Sequence, residues 1–170
     1  FFTHPVDISA LIGALDEISN PNASLPFRIL IVEDALTQAS YYAMHLEKVG
    51  METRIVTEPS RMMQPLNDFN PDLILLDMYM PDCTGIELAQ MIRQMENFMS
   101  VPIVFLSAET DKERQLAALM MGGDDFLIKP IKPEHLIASI TSRVERYRKL
   151  RSMMTSDGLT GLLNHTVIKE

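Results

Sequence analysis

From Phe27 onward, short runs of apolar residues alternate with stretches whose apolar positions recur every three or four residues. Runs apolar at consecutive positions suit strands covered on both faces of a parallel sheet, and the recurring positions suit amphipathic helices. On this basis Arg28 to Val32 is a first strand, Met51 to Val56 a second, Asp72 to Leu76 a third, Pro102 to Leu106 a fourth and Asp125 to Ile128 a fifth. Leu36, Ala39, Ala43, Leu46 and Val49 mark a first helix that stops at Gly50, and Ser60 to Phe69 forms a second, broken by Asn70 and Pro71. Leu88, Met91, Ile92, Met95 and Met99 share one face of a third helix, and a fourth runs from Asp111 to Met121 and closes at Gly122 and Gly123. A long fifth helix begins near Lys132.

Five strands joined by helices define an α/β chain with a doubly wound, five-stranded parallel sheet, because parallel neighbours need crossovers and those crossovers are right-handed. The expected strand order is the flavodoxin-like 2-1-3-4-5, which sets strands one and three side by side at the switch point. There Glu33, Asp34 and Asp77 converge, and Ser107 and Lys129 close the same rim. The stretch DLILLDMYMPDCTGIE, Asp72 to Glu87, is a buried strand that delivers the Asp77 carboxylate to a loop.

Three crowded anions are unfavourable unless a cation joins them, and a small hard cation with oxygen ligands is the natural one. Magnesium (Mg2+) is the expected occupant, held by Asp34 and Asp77 directly, by the backbone carbonyl of Tyr79 and by waters, with Glu33 acting through one of those waters. Asp77 is then a nucleophile able to attack a phosphoryl group and form an acyl phosphate. Lys129, Ser107 and the metal supply the donors that developing charge needs, and the small Ala108 leaves room. Taken singly, these residues have plainer readings: Asp77 or Ser107 as a helix cap, Lys129 as a solvated strand end, Phe126 as core.

Together, the acidic pair Glu33-Asp34, the segment LLDMYMPDCTG, the pair Ser107-Ala108 and DDFLIKP resemble the receiver domain of bacterial two-component response regulators over residues 27 to about 148. The separations match that family's layout: 43 residues from Asp34 to Asp77, 30 more to Ser107 and 22 more to Lys129. The resemblance implies that Asp77 is the phosphoacceptor, and that a sensor histidine kinase or phosphotransfer protein is the donor. It also implies that Ser107 moves toward the phosphoryl group while Phe126 turns inward, changing the face of helix four, strand five and helix five, the surface on which a homodimer could form. Glu33 stands where Asp is commoner. Tyr79 and Glu109, two residues past Asp77 and Ser107, are expected to flank the path of hydrolytic water and so to set the lifetime of the phosphate.

Residues 1 to 24 carry a strand-Pro-helix pattern, and FFTHPVDISALIGAL can be laid on FLIKPIKPEHLIASI with His4 on Lys129 and Pro5 on Pro130. They resemble the tail of a preceding receiver, degenerate at the lysine position, followed by a linker. Residues 149 to 170 read as a linker helix and a truncated domain start. SDGLTGLLNHTVIKE is similar to the opening of a GGDEF domain, the diguanylate cyclase fold, with Asp157, Leu159, Thr160, Gly161, Leu162 and Asn164 matching and His165 where Arg is usual. The GGDEF loop itself is not in this sequence, so the fragment is not expected to be an enzyme beyond gaining and losing its own phosphate. GTP would belong only to the cyclase domain of the longer protein. In the connecting helix Ile137, Ile140, Val144 and Tyr147 keep a 3-4 spacing that suits a coiled-coil seam. A solvated helix carrying Arg143, Arg146, Arg148, Lys149 and Arg151 fits equally well.

Composition changes this picture little. The 170 residues carry a net charge of -8, which argues against a nucleic-acid or anionic-membrane surface. No apolar run approaches the roughly 18 to 20 residues of a membrane span, and a cytoplasmic location is expected. The single cysteine, Cys83, forms no internal disulfide, and His45 and His135 read as solvated helix positions. Of the 13 methionines, several fall at helical spacing with leucines and isoleucines, and they read as core. Two other readings stand beside the phosphorylated switch: an interaction scaffold of the same fold that works without phosphorylation, and a small phosphatase using Asp77. The phosphatase class usually carries D-x-D, and Tyr79 occupies the place of the second acid.

Overall fold

The computed structural model describes residues 25–108 and 110–169, with side chains as far as residue 155. The helix expected in residues 1–24, Glu109, and the side chains of the GGDEF-like match lie outside the described residues. Five strands, β1 (Arg28–Val32), β2 (Glu52–Val56), β3 (Leu73–Asp77), β4 (Ile103–Ser107) and β5 (Asp125–Ile128), form one parallel sheet in the order β2-β1-β3-β4-β5. Helices α1 (Leu36–Lys48), α2 (Met63–Phe69), α3 (Gly85–Arg93), α4 (Lys112–Met120) and α5 (Pro133–Lys169) connect and extend it.

Alternate residues of the central strands feed two separate cores, as the period of a strand requires. Leu30, Val32, Ile74, Leu76 and Phe105 pack against α2, α3 and α4, where Leu66, Leu88, Ile92 and Ala118 are buried. Ile29, Ile31, Leu75, Val104 and Leu106 pack against α1 and α5, where Ala39, Tyr42, Leu46, Leu136, Ile140 and Val144 are buried. Both faces of β1, β3 and β4 are thus dry, which is why those strands read as continuous apolar runs. Truncating one of these side chains, as in Leu75→Ala, costs about 2–5 kcal/mol.

Several expectations are corrected. The second helix is split into a 3-10 turn, Pro59–Arg61, and α2, because Pro65 tolerates only the first turn of a helix. The third helix ends at Arg93, because the chain beyond it turns back: the Arg93 guanidinium donates to the carbonyls of Phe98, Met99 and Val101. The methionines are not mainly core. Met51, Met62, Met78 and Met80 are buried, but eight of the thirteen, Met91 and Met99 among them, are exposed. Leu36 and Val49, assigned to the inner face of α1, are exposed as well. Neither reading of the fifth helix survives in its first half. Ile140 and Val144 are buried against the domain's own sheet, so they form no seam with a second chain, and Arg143 and Arg148 are in ion pairs rather than solvated. Among the described residues, no helix is long and apolar enough to cross a membrane.

Candidate functional site

The register of the sheet aligns the carboxyl ends of its central strands. Val32 pairs with Leu76 across β1 and β3, so Glu33 and Asp77 are the next residues of two adjacent strands. Asp77 pairs with Leu106, and Ser107 with Ile128, which puts Lys129 just beyond. One oxygen from each of Glu33, Asp34 and Asp77 can be chosen so that all lie within 4.8 Å of one another. Glu33, Asp77 and Ser107 are buried, while Asp34 is exposed.

Lys129 reaches into this cluster. Its ammonium donates to Glu33 Oε2 at 2.8 Å and to Asp77 Oδ1 at 3.0 Å, and its backbone N–H donates to the Ser107 carbonyl at 2.8 Å. Burial pushes the Asp77 carboxyl above its ordinary range, opposed by the hydrogen bond and charge of Lys129 and reinforced by Asp34. Burial also raises Glu33, and the Asp77 charge adds to it while Lys129 opposes. For Lys129, burial disfavours the charged form, but the hydrogen bonds to Glu33 and Asp77 prevail and raise it. One ammonium facing three carboxylates leaves the pocket anionic. An all-oxygen, anionic donor set whose ionised form carries a burial penalty fits a hard divalent cation, which would relieve that penalty.

Local sequence holds the site open. Asp77 caps no helix: the N-cap of α3 is Thr84, whose hydroxyl accepts from the Glu87 N–H at 3.3 Å while the Glu87 carboxylate accepts from the Thr84 N–H at 2.9 Å. This capping box is written in the sequence as T-x-x-E. Nor is Ser107 a cap, since α4 is capped by Asp111. The loop between β3 and α3 presents Tyr79 with 51% of its surface exposed. A cavity of about 480 Å³ opens beside Asp34, walled by Thr57, Met62, Pro81, Asp82 and Leu88. Phe126 is half-buried, its ring 6.3 Å from that of Phe105 and tilted by 49°. Tyr42 escaped the sequence reading: it is buried on α1, where burial, opposed by Lys129 and reinforced by Glu33 and Asp77, raises its phenol. Its helical spacing marked only an apolar face.

This arrangement of acids, lysine and hydroxyl on a doubly wound sheet is that of a receiver domain. The response regulator receiver domain model matches residues 29–141, and the chain belongs to that family. The chain is 36% identical over 155 residues to an uncharacterized 76.5 kDa protein of Thiocystis violacea, covering 91% of this chain and 22% of that protein. It is 33% identical over 131 residues to the DNA-binding response regulator MtrA of Mycolicibacterium smegmatis, covering 77% of this chain and 56% of MtrA. The chain thus spans only about a fifth to a half of these relatives. Among solved structures, a putative response regulator from Chloroflexus aurantiacus superposes with a TM-score of 0.67 at 27% identity, covering 71% of this chain and 99% of that one. A Francisella receiver domain superposes with a TM-score of 0.65 at 28% identity, covering 70% and 97%.

Proposed function

We propose that this receiver accepts a phosphoryl group on Asp77 from a sensor histidine kinase or phosphotransfer protein, and that it switches a diguanylate cyclase further along the same protein. The observation that carries the first half is the Lys129 ammonium bridging Glu33 and Asp77 at the ends of adjacent strands. In the transfer, an Asp77 oxygen forms a bond to phosphorus, the donor's phosphorus–nitrogen bond breaks, and the released imidazole takes a proton. Lys129 moves from a purely carboxylate environment to share the incoming phosphoryl oxygens, and the Ser107 hydroxyl lies on the same rim to meet them. Asp34, Asp77, the Tyr79 carbonyl and, through water, Glu33 would hold magnesium, which when bound neutralises charge on the transferring group.

The cyclase half rests on the match of Asp157 to Asn164 with a GGDEF opening and on α5 running unbroken from the domain into it. The relative from Mycolicibacterium is named as DNA-binding. Here the residues after Thr155 favour the cyclase instead. The fragment itself only gains and loses phosphate, in the cytoplasm. GTP belongs to the output domain.

The test is intact-protein mass spectrometry after incubation with a small acyl phosphate and magnesium. One phosphate is expected on the natural chain and none on Asp77→Asn. Equal labelling of the two proteins would remove Asp77 from its role.

A further inference from the structure

We propose that Arg148 is a joint that fastens the incoming chain, residues 25–27, to α5 where that helix leaves the domain. A displacement of either segment then reaches the other without passing through the Asp77 site.

The joint lies at the opposite end of the sheet. Asp72 directly precedes β3, and a strand rises about 3.3 Å per residue, so it stands roughly 16 Å from Asp77. Asp72 is buried and fixed to β1: its N–H donates to the Arg28 carbonyl at 2.8 Å, and its Oδ2 accepts from the Arg28 N–H at 2.9 Å. The same Oδ2 accepts from Arg148 Nη2 at 2.6 Å. That nitrogen also donates to the Pro26 carbonyl at 2.9 Å, and Nη1 donates to the Leu25 carbonyl. The guanidinium covers the Phe27 ring at 4.5 Å. One planar group thus grips the sheet, two carbonyls of the incoming chain and an aromatic ring, a combination that the rigid fork of arginine suits and lysine does not.

Its position on α5 gives the contact its meaning. Before it, Ile140 and Val144 are buried against the sheet; after it, Lys149, Leu150 and Arg151 are exposed. Arg148 is therefore placed where the helix passes from packed to free. Leu25 and Pro26 are themselves exposed, and Arg148 accounts for the side-chain grip on their carbonyls. The residues joined are more than 120 positions apart in sequence.

The joint is independent of the phosphoryl chemistry proposed above, so Asp77→Asn leaves it intact. Hydrogen exchange of the complete 170-residue chain tests it. In Arg148→Gln, the amides of 27–28 and of 149–152 are expected to exchange roughly tenfold faster together, with β3 and β4 unchanged. Arg148→Lys supplies the charge but not the fork, so it should protect the helix segment while leaving 27–28 fast. If only one segment responds to Arg148→Gln, or if all amides accelerate alike, Arg148 is an ordinary stabilising contact and the joint is refuted. Should Arg148→Gln not fold, Arg148→Met, which keeps the length and apolar stem of the side chain, decides by the same outcomes.

Discussion

A Cβ on Gly85 would stand 2.4 Å from the carbonyl oxygen of Asp77, and 3.0 Å from the Met78 Cα. The first turn of α3 is thus pressed onto the backbone of the residue that carries the site, and the Gly85 N–H donates to the Met78 carbonyl at 2.9 Å. Both close atoms are backbone, so they cannot swing aside as a side chain would. Gly85→Ala should therefore cost about 1–3 kcal/mol, measured by urea unfolding, and slow phosphorylation because it shifts the Asp77 peptide. Unaltered stability would mean that α3 slides without resistance.

Protonation of the acidic pocket sets a second expectation. Burial raises Asp77 above 3.8 and Glu33 above 4.5, so the folded chain holds these protons more tightly than the unfolded one. Their contribution to stability is present below the unfolded values and is lost as pH rises through the folded ones. At neutral pH without divalent cations the ionised pair is therefore a cost, and Asp77→Asn should be the more stable protein. The gap should close on acidification through the raised Asp77 value, and at neutral pH on addition of magnesium. Urea unfolding of both proteins across that range, with and without chelator, checks it; a gap that ignores pH would show that Asp77 is not penalised.

The lifetime of the phosphate is a third quantity open to measurement. Water must approach phosphorus in line, opposite the Asp77 oxygen, and the Tyr79 ring projects from the loop two residues on. Tyr79→Ala should shorten the half-life of the phosphorylated chain, because the smaller side chain admits water to that path. Equal half-lives would assign control of the water elsewhere.

What the sequence disclosed and what it hid follow from the reach of each interaction. The strands, their order and the convergence of Glu33, Asp34, Asp77, Ser107 and Lys129 were legible, because burial on both faces writes an unbroken apolar run and each run ends at a polar residue. The exposure of Met91 and Met120 was not, since methionine occupies core and surface positions at the same spacing. Arg93 and Arg148 look like any surface arginine in the sequence. Their partners, Asp124 and Asp72, lie 31 and 76 positions away, and only the fold brings them together.

The last expectation concerns how a change at Asp77 reaches a second chain. Phe126 adjoins Asp125, and Asp125 forms an ion pair with Arg143 of α5. An inward rotation of Phe126 on phosphorylation would therefore disturb the strand to which the helix is tied. Beside it, Leu116 and Met120 of α4 are 59% and 80% exposed, and Ile128 of β5 is 46% exposed. Burying one such side chain contributes roughly 1.5–3 kcal/mol, and a twofold-symmetric contact buries it twice. That is enough to supply the few kcal/mol by which phosphorylation must bias two arrangements. The phosphorylated chain should associate through this surface, and Leu116→Glu should weaken association by at least about a hundredfold while labelling of Asp77 proceeds normally. Sedimentation of both proteins, with and without phosphorylation, reads the outcome. If the phosphorylated natural chain stays monomeric, or if Leu116→Glu associates as well as it does, the signal leaves by another route.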